Sequence, residues 1–298
     1  MYSSNKLLFI IVFMLSCSTA LHATHPFITD DTGTQGKGGF EIESSYEYKY
    51  NRSRTINRSR RNVAEGFVLK SAGAIDGIDR DYALETRERS LAHIAVISLA
   101  YGVIDDLDIQ ACIPYQRTKT KSRVVNLFGL RHPLSAVDAG LTDLSVAITW
   151  NFWSNDRLGF ALKPGISIPT GDESKGLGSG MVGGFVCFVT SIELAPLTIH
   201  MNLGYRRSRF ATEKWNEHAD IYRGSIALEC QVVEGLRLVL DTGLERNPSP
   251  FSRIHPAFIL GGVIYSPWEK CDLDLGFKYG ITGPEADYAI LAGLTFRI

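Results

Sequence analysis

The chain has 298 residues, 45% of them hydrophobic, with 31 Lys+Arg set against 32 Asp+Glu. That near-balance removes any whole-chain electrostatic case for nucleic-acid binding, and the length allows one large barrel domain or two ordinary ones. Beyond residue 23 no apolar run reaches the roughly 18 residues that a spanning helix needs, so the exported chain is either a soluble protein or a β-barrel.

Residues 1–23 read as a secretory signal: Lys6 gives the positive start, Leu7 to Leu15 the apolar run, and small residues follow up to Ala23. Residues 24–39 are rich in Gly, Thr and Asp without periodicity, and are expected to form a periplasmic lead-in able to plug a barrel mouth. The barrel itself is expected over residues 40–298. Four cysteines lie beyond the signal, Cys112, Cys187, Cys230 and Cys271, far apart and with no C-x-x-C pair. Zinc and thioredoxin-type chemistry are therefore not expected, though export leaves a disulfide open.

From Phe40 to Tyr50 aromatic and apolar residues alternate with Glu41, Glu43, Glu47 and Lys49, the period-2 signature of a strand. Asn51 to Ser90 reads as a long polar connection. Strands follow at Leu91–Tyr101 and Leu107–Ile113, then a second polar loop over Gln116 to Leu141. Leu144–Trp150, Leu158–Ile168, Val182–Glu193, Leu197–Tyr205, Tyr222–Val232, Leu236–Leu244, His255–Tyr265 and Leu273–Tyr279 continue the pattern, and Asp287–Ile298 closes it. Tyr288, Ile290, Ala292, Leu294, Phe296 and Ile298 share one parity of that last strand.

These make about 12 strands, an even number, joined by connections that alternate long and short. Long outer loops with short periplasmic turns are the pattern of an all-β, transmembrane antiparallel barrel in the outer membrane. Aromatics at strand ends (Tyr115, Trp150, Tyr205, Tyr222, Tyr265, Tyr279) suit two girdles at the lipid–water boundaries. A soluble sandwich would alternate too, but needs neither strands of nine to eleven residues nor regularly unequal connections.

Several stretches, HPFITDDTGTQGKGGFEIE, YGVIDDLDIQACIPYQ, ALKPGISIPTGDESKGLGSG, GLRLVLDTGLERNP and HPAFILGGVIYSP, resemble the outer-membrane transporter family named after the phenol-degradation meta-pathway. The resemblance runs from about His25 to the end. It implies a signal-bearing outer-membrane barrel, linked with uptake of small hydrophobic or aromatic compounds. It carries over no agreed functional residues.

Charged residues on the parity opposite the greasy wall are the lumen-facing candidates: Glu43, Glu47, Lys163, Arg206, Arg223, Glu229, Arg237, Asp241, Asp274 and Lys278. Both signs are present, so they can pair across a narrow interior, either closing it or leaving a gated polar path. Arg52, Arg54, Arg58, Arg60 and Arg61 cluster in the first connection, where guanidinium groups suit the phosphates of lipopolysaccharide. Tyr50 and Tyr115 are candidates to line a pocket at the outer mouth. For catalysis, His200, Asn202 and Ser225 could be drawn together on adjacent strands, yet no G-x-S-x-G context surrounds them. Gly171 to Gly180 lacks the GK[ST] of a phosphate loop.

The reading is thus a non-enzymatic passive channel or transporter for small hydrophobic or aromatic solutes. No catalytic residue, metal or cofactor is expected. Its partners would be outer-membrane lipids including lipopolysaccharide, the barrel-assembly machinery and the solutes, with no nucleic acid. The alternative is a structural or surface-interaction barrel whose long loops bind lipopolysaccharide or host molecules.

Overall fold

The computed structural model describes residues 26–59, 82–125, 131–207, 218–250 and 252–298. Among these, thirteen strand segments form one antiparallel sheet: β1 (Phe40–Ser59), β2 (Tyr82–Ile104), β3 (Leu107–Val125), β4 (Arg131–Leu141), β5 (Leu144–Ser154), β6 (Leu158–Ile168), β7 (Gly183–Leu194), β8 (Leu197–Arg207), β9 (Asp220–Val233), β10 (Leu236–Glu245), β11 (Ala257–Trp268), β12 (Cys271–Gly280) and β13 (Tyr288–Arg297). Strands pair with their neighbours in sequence, except that β4 and β5 both pair with β3, and β1 pairs with β13 from Glu41↔Arg297 to Tyr50↔Tyr288. The sheet therefore closes on itself. β4 and β5 pair with the upper and lower parts of β3, at Tyr115–Val125 and Leu107–Cys112 respectively. They share one position in the wall, interrupted at Thr142 and Asp143, which makes a closed barrel of twelve staves. Closure pairs β1 with β13 over the lower barrel, as a lipid-embedded sheet requires, while β4 and β1 beyond Tyr50 each keep one paired edge among the described residues.

The alternation in sequence becomes the two faces of the wall. Ile109, Ile148, Leu203, Leu228, Leu240, Leu275 and Phe277 are exposed on the outer surface. Trp150, Tyr222, Tyr265, Tyr279 and Phe296 are exposed with them. Short turns such as Asp105–Asp106 mark the periplasmic end by the same rule that puts long loops outside. Tyr50 stacks on Tyr288 at 5.2 Å, and Tyr115 is exposed on the outer wall, so neither lines a pocket at the mouth. Cys112, Cys187, Cys230 and Cys271 are all free thiols.

Three features depart from the sequence reading. The connection expected over Asn51–Ser90 is strand up to Ser59 and again from Tyr82, because β1 and β2 stay paired in register out to Ser59↔Tyr82. The loop expected over Gln116–Leu141 is likewise mostly the top of β3 and the whole of β4. Apolar periodicity disappears where a strand leaves the bilayer, but the ladder of hydrogen bonds does not. The barrel is lopsided as a result. Ten-residue β10, at about 3.4 Å per residue and tilted by about 40°, rises about 26 Å, which matches the apolar band. Twenty-three-residue β2 on the same arithmetic rises about 60 Å.

The third departure is inside. The interior is not uniformly ionic: Val239, Phe258, Leu260, Ile264, Ala289 and Leu291 form a buried apolar strip on β10, β11 and β13, against which Phe27 and Ile28 pack. An apolar strip facing the lumen is stable only when something covers it, and Phe27 and Ile28 do so.

Candidate functional site

From Phe40 at the periplasmic rim, the chain traced backwards turns up into the barrel. Gly38 N–H donates to Gly102 O (2.8 Å) and Gly102 N–H to Gly39 O (2.9 Å), which pins the entry to the end of β2. A Cβ at Gly102 would collide with the backbone of Gly36, so only glycine permits this approach. Thr34 Oγ1 donates to Asp105 O (2.6 Å), and Gln35 N–H donates to Asp108 Oδ2 (2.9 Å).

Further in, the segment is held by wall side chains on successive strands. Thr32 N–H donates to Ser191 Oγ of β7 (3.1 Å), and Asn151 Nδ2 of β5 donates to Thr32 O (2.9 Å). Lys163 Nζ of β6 lies 2.7 Å from Asp30 Oδ1, and Arg223 Nη2 of β9 lies 3.7 Å from Asp30 Oδ2. Asn202 of β8, with its amide oriented to satisfy both groups, donates to Asp30 O (2.9 Å) and accepts from Asp30 N–H (2.6 Å). Asp241 of β10 takes three bonds: from Ile28 N–H (2.7 Å), Thr29 N–H (3.0 Å) and Thr29 Oγ1 (2.8 Å). A carboxylate accepting two main-chain donors and a hydroxyl satisfies groups that would otherwise be buried without partners. Pro26 ends the described segment against Gly262 and Gly276, where added side chains would displace it.

A second set of charges forms a floor beneath the segment. Arg237 bridges Glu229 (3.4 Å) and Asp272 (3.1 Å), and Arg297 bridges Asp272 (3.0 Å) and Glu41 (3.0 Å). Ser266 Oγ donates to Asp272. This chain joins β9, β10, β12, β13 and β1, so it crosses the seam where the barrel closes. Higher up, Lys278 sits 3.5 Å from Glu47 and 3.2 Å from Glu285.

Of the lumen candidates, Lys163, Arg223 and Asp241 thus grip the segment, and Glu229 and Arg237 belong to the floor. Glu47 and Lys278 form their own pair, Asp274 is buried on β12, and Arg206 is exposed near the end of β8. Glu43 lines a cavity of about 350 Å³ beside the segment, together with Asp31, Cys112, Lys163, Cys187 and Arg223. Phe27, Ile28 and Phe185 add apolar surface to the same cavity. His200, Asn202 and Ser225 do not assemble as a nucleophile set. His200 Nδ1 lies 2.8 Å from Ser191 Oγ, its ring meets Phe27 edge-on, and Asn202 is taken up by Asp30.

Arg52 is exposed near the outer end of β1, while Arg54 and Arg58 occupy register positions opposite Arg87 and Ala83. Arg60 and Arg61, like the signal segment, lie outside the described residues. The sequence reading missed Thr29, Asp30 and Thr32 as anchors, and Gly102, Gly262 and Gly276 as the wall positions that Gly36 and Pro26 approach. The one available signal was glycine at inward-facing strand positions, where a side chain would normally fill space.

A family model described as the MetA-pathway of phenol degradation matches residues 92–298. Among solved structures, the COG4313 outer membrane channel from Pseudomonas putida F1 matches with a TM-score of 0.59 at 12% identity, covering 90% of this chain and 98% of that one. The Ralstonia pickettii toluene transporter TbuX matches with a TM-score of 0.46 at 9% identity, covering 88% of this chain and 89% of that one. At such identities the likeness concerns fold. No curated protein matches this chain.

Proposed function

This chain belongs to the MetA-pathway of phenol degradation family, and from that premise we propose that it is a passive outer-membrane channel for small hydrophobic or aromatic solutes, narrowed by its own N-terminal segment. In this reading residues 1–23 are removed on export, residues 24–39 act as the plug, and residues 40–298 form the conducting barrel. It is not an enzyme and uses no cofactor. Its other partners are the barrel-assembly machinery and outer-membrane lipids, lipopolysaccharide among them.

The observation that carries the reading is the way the lumen is occupied. Residues 26–35 reach from the rim to the middle of the barrel, and polar groups that face each other across the interior are joined through them. Beside the segment, among the described residues, lies a cavity of about 350 Å³, the size of a site for a small molecule rather than a wide aqueous pore. Its Phe27, Ile28 and Phe185 offer apolar contact beside the Asp30–Lys163–Arg223 charges. Such a lining suits a ring carrying one polar group. The lumen candidates then have two roles. Lys163, Arg223 and Asp241 set the position of the plug, while Glu43 and the cavity charges face the solute.

The test is uptake into liposomes containing the purified protein. Phenol-sized aromatics are expected to enter faster than into empty liposomes, and disaccharides to enter no faster. Equal rates with and without protein for every solute would defeat the proposal. A mature chain that stayed dissolved without detergent would defeat its premise.

A further inference from the structure

The upper half of β3 reads Arg117-Thr118-Lys119-Thr120-Lys121-Ser122-Arg123. In a strand, alternate residues share a face, so all four cations stand on one side and the three hydroxyls on the other. Arg117, Lys119, Lys121 and Arg123 are exposed. Their face is the lipid-facing one, because Tyr115 continues the same parity and is exposed on the outer wall. Tyr115 lies in a row with Ala95 and Tyr46, and Arg117 and Lys119 lie in rows with Tyr48 and Tyr50, so the cations begin within the aromatic belt and continue beyond it.

Register makes the stripe a patch. Lys121 is opposite Arg89, and Arg89 is opposite Arg52. One step further out, Arg123 is opposite Arg87, and Arg87 is opposite Arg54. Like charges placed directly across a sheet destabilise it. The outward positions of β4 next to the stripe are Ser135, Val137 and Ala139, Glu88 and Asp138 have the opposite parity, and Glu85, of the outward parity, stands further out at the register position opposite Val125. Among the described strands no acid holds a register position next to the Lys121–Arg89–Arg52 row, which therefore suits an anion from outside the chain.

We infer that the outer face of β1, β2 and β3 from the tyrosine belt outward is a binding site for the phosphorylated headgroup of an outer-leaflet glycolipid. The chemistry shared with any phosphate is charge-assisted hydrogen bonding, bidentate from the guanidinium groups and pointwise from the lysines. Position selects the lipid over free phosphate. The patch is continuous with the lipid-facing wall and starts where acyl chains give way to headgroups. It also lies on strands that rise well above the bilayer, so an upright glycan has a rigid surface to lean on. This inference rests on the lipopolysaccharide partner named in the proposed function and gives it a site, but it stands apart from the channel reading, since no residue in it faces the lumen.

The experiment uses the purified full-length barrel in detergent, freed of endogenous lipid. It compares binding of a phosphorylated rough lipopolysaccharide, the same lipid after chemical removal of its phosphates, and inorganic phosphate. The wild type is expected to bind the phosphorylated lipid in a salt-sensitive manner and the dephosphorylated lipid at least tenfold more weakly. Arg117→Gln/Lys119→Gln/Lys121→Gln/Arg123→Gln is expected to lose at least tenfold in the same assay, with an unchanged heat-dependent gel shift reporting a folded barrel. Lys121→Glu alone gives a smaller loss in the same direction and serves if the fourfold variant fails to assemble. Lys175→Gln, in the outer loop away from the stripe, is expected to bind as wild type. Equal binding by wild type and stripe variants, equal binding of the dephosphorylated lipid, or inorganic phosphate binding as tightly as the lipid would overturn the assignment.

Discussion

The two flanks of this barrel use the same alternating pattern for opposite ends. On the β9–β13 flank the strands are ten to fourteen residues long, and their charges point inward and are paired. On the β1–β4 flank the strands run on beyond the bilayer, and the cations Arg117, Lys119, Lys121 and Arg123 of the β3 extension are exposed on the outer face. The difference teaches that alternation specifies a wall but not what either face is for. That depends on where a residue sits relative to the lipid and to the segment inside. Buried charge must be matched within the chain, because desolvation there costs several kcal/mol per ion. Exposed charge can be left for a ligand, because water supports it meanwhile.

The sharpest way to break the comparison is to remove one charge from each flank. Arg237→Met removes the cation paired with buried Glu229 and leaves Asp272 to Arg297 and Ser266, and is expected to cost about 3–5 kcal/mol, the usual result of deleting one partner of a buried pair. Urea unfolding of the detergent-solubilised barrel measures it, and a loss below about 1 kcal/mol would mean that the floor is wet and weak.

Next in size is the grip on the segment. Asp241→Ala removes the acceptor of three hydrogen bonds, each worth about 1.5–3 kcal/mol when one partner is charged. It is expected to raise the labelling rate of a Thr29→Cys reporter by at least an order of magnitude while the barrel stays folded. Gly276→Leu attacks the same contact from the wall. A side chain there meets Pro26, so labelling should rise without any change in charge.

On the other flank, the fourfold stripe variant is expected to leave unfolding in lipid-free detergent within about ±0.5 kcal/mol per substitution, as for exposed side chains generally. A larger stabilisation would show that the like-charge rows strain the sheet more than solvent relieves.

The smallest effect belongs to the outer loop between β6 and β7. Asp172 caps the short 3₁₀ turn Glu173–Lys175. Hydrogen bonds from Ser174 and the nearby Lys175 ammonium lower its pKa from 3.8 to about 2. A depressed carboxyl stabilises the folded turn above pH 3.8, and that contribution fades as pH falls towards 2. The Ser174 amide resonance should shift over that interval in wild type and not in Asp172→Ala.

Much of the wall was legible from sequence, because lipid on one side imposes a strict period. The final strand, the short turns and the even number of staves all follow from Leu, Ile and Tyr recurring at every second position. The upper part of β3 was not legible as strand. Once it leaves the bilayer both faces are polar, and Arg-Thr-Lys-Thr alternates in charge rather than in hydropathy. The facing of β11 was equally hidden, since Phe258, Leu260 and Ile264 inside are as apolar as Ile259 and Val263 outside. The segment itself carries no periodicity. Its partners lie far along the chain, Asp241 more than two hundred residues away, so nothing local announces them. Asp30 and Thr32 looked like ordinary loop residues for that reason.

The central claim is that residues 26–35 set the width of the conducting path. Single-channel conductance in planar bilayers, compared between the wild-type barrel and one lacking those ten residues, tests it most directly. A severalfold rise in conductance on removal is expected. Identical conductance in both, or no measurable current from either, would contradict it.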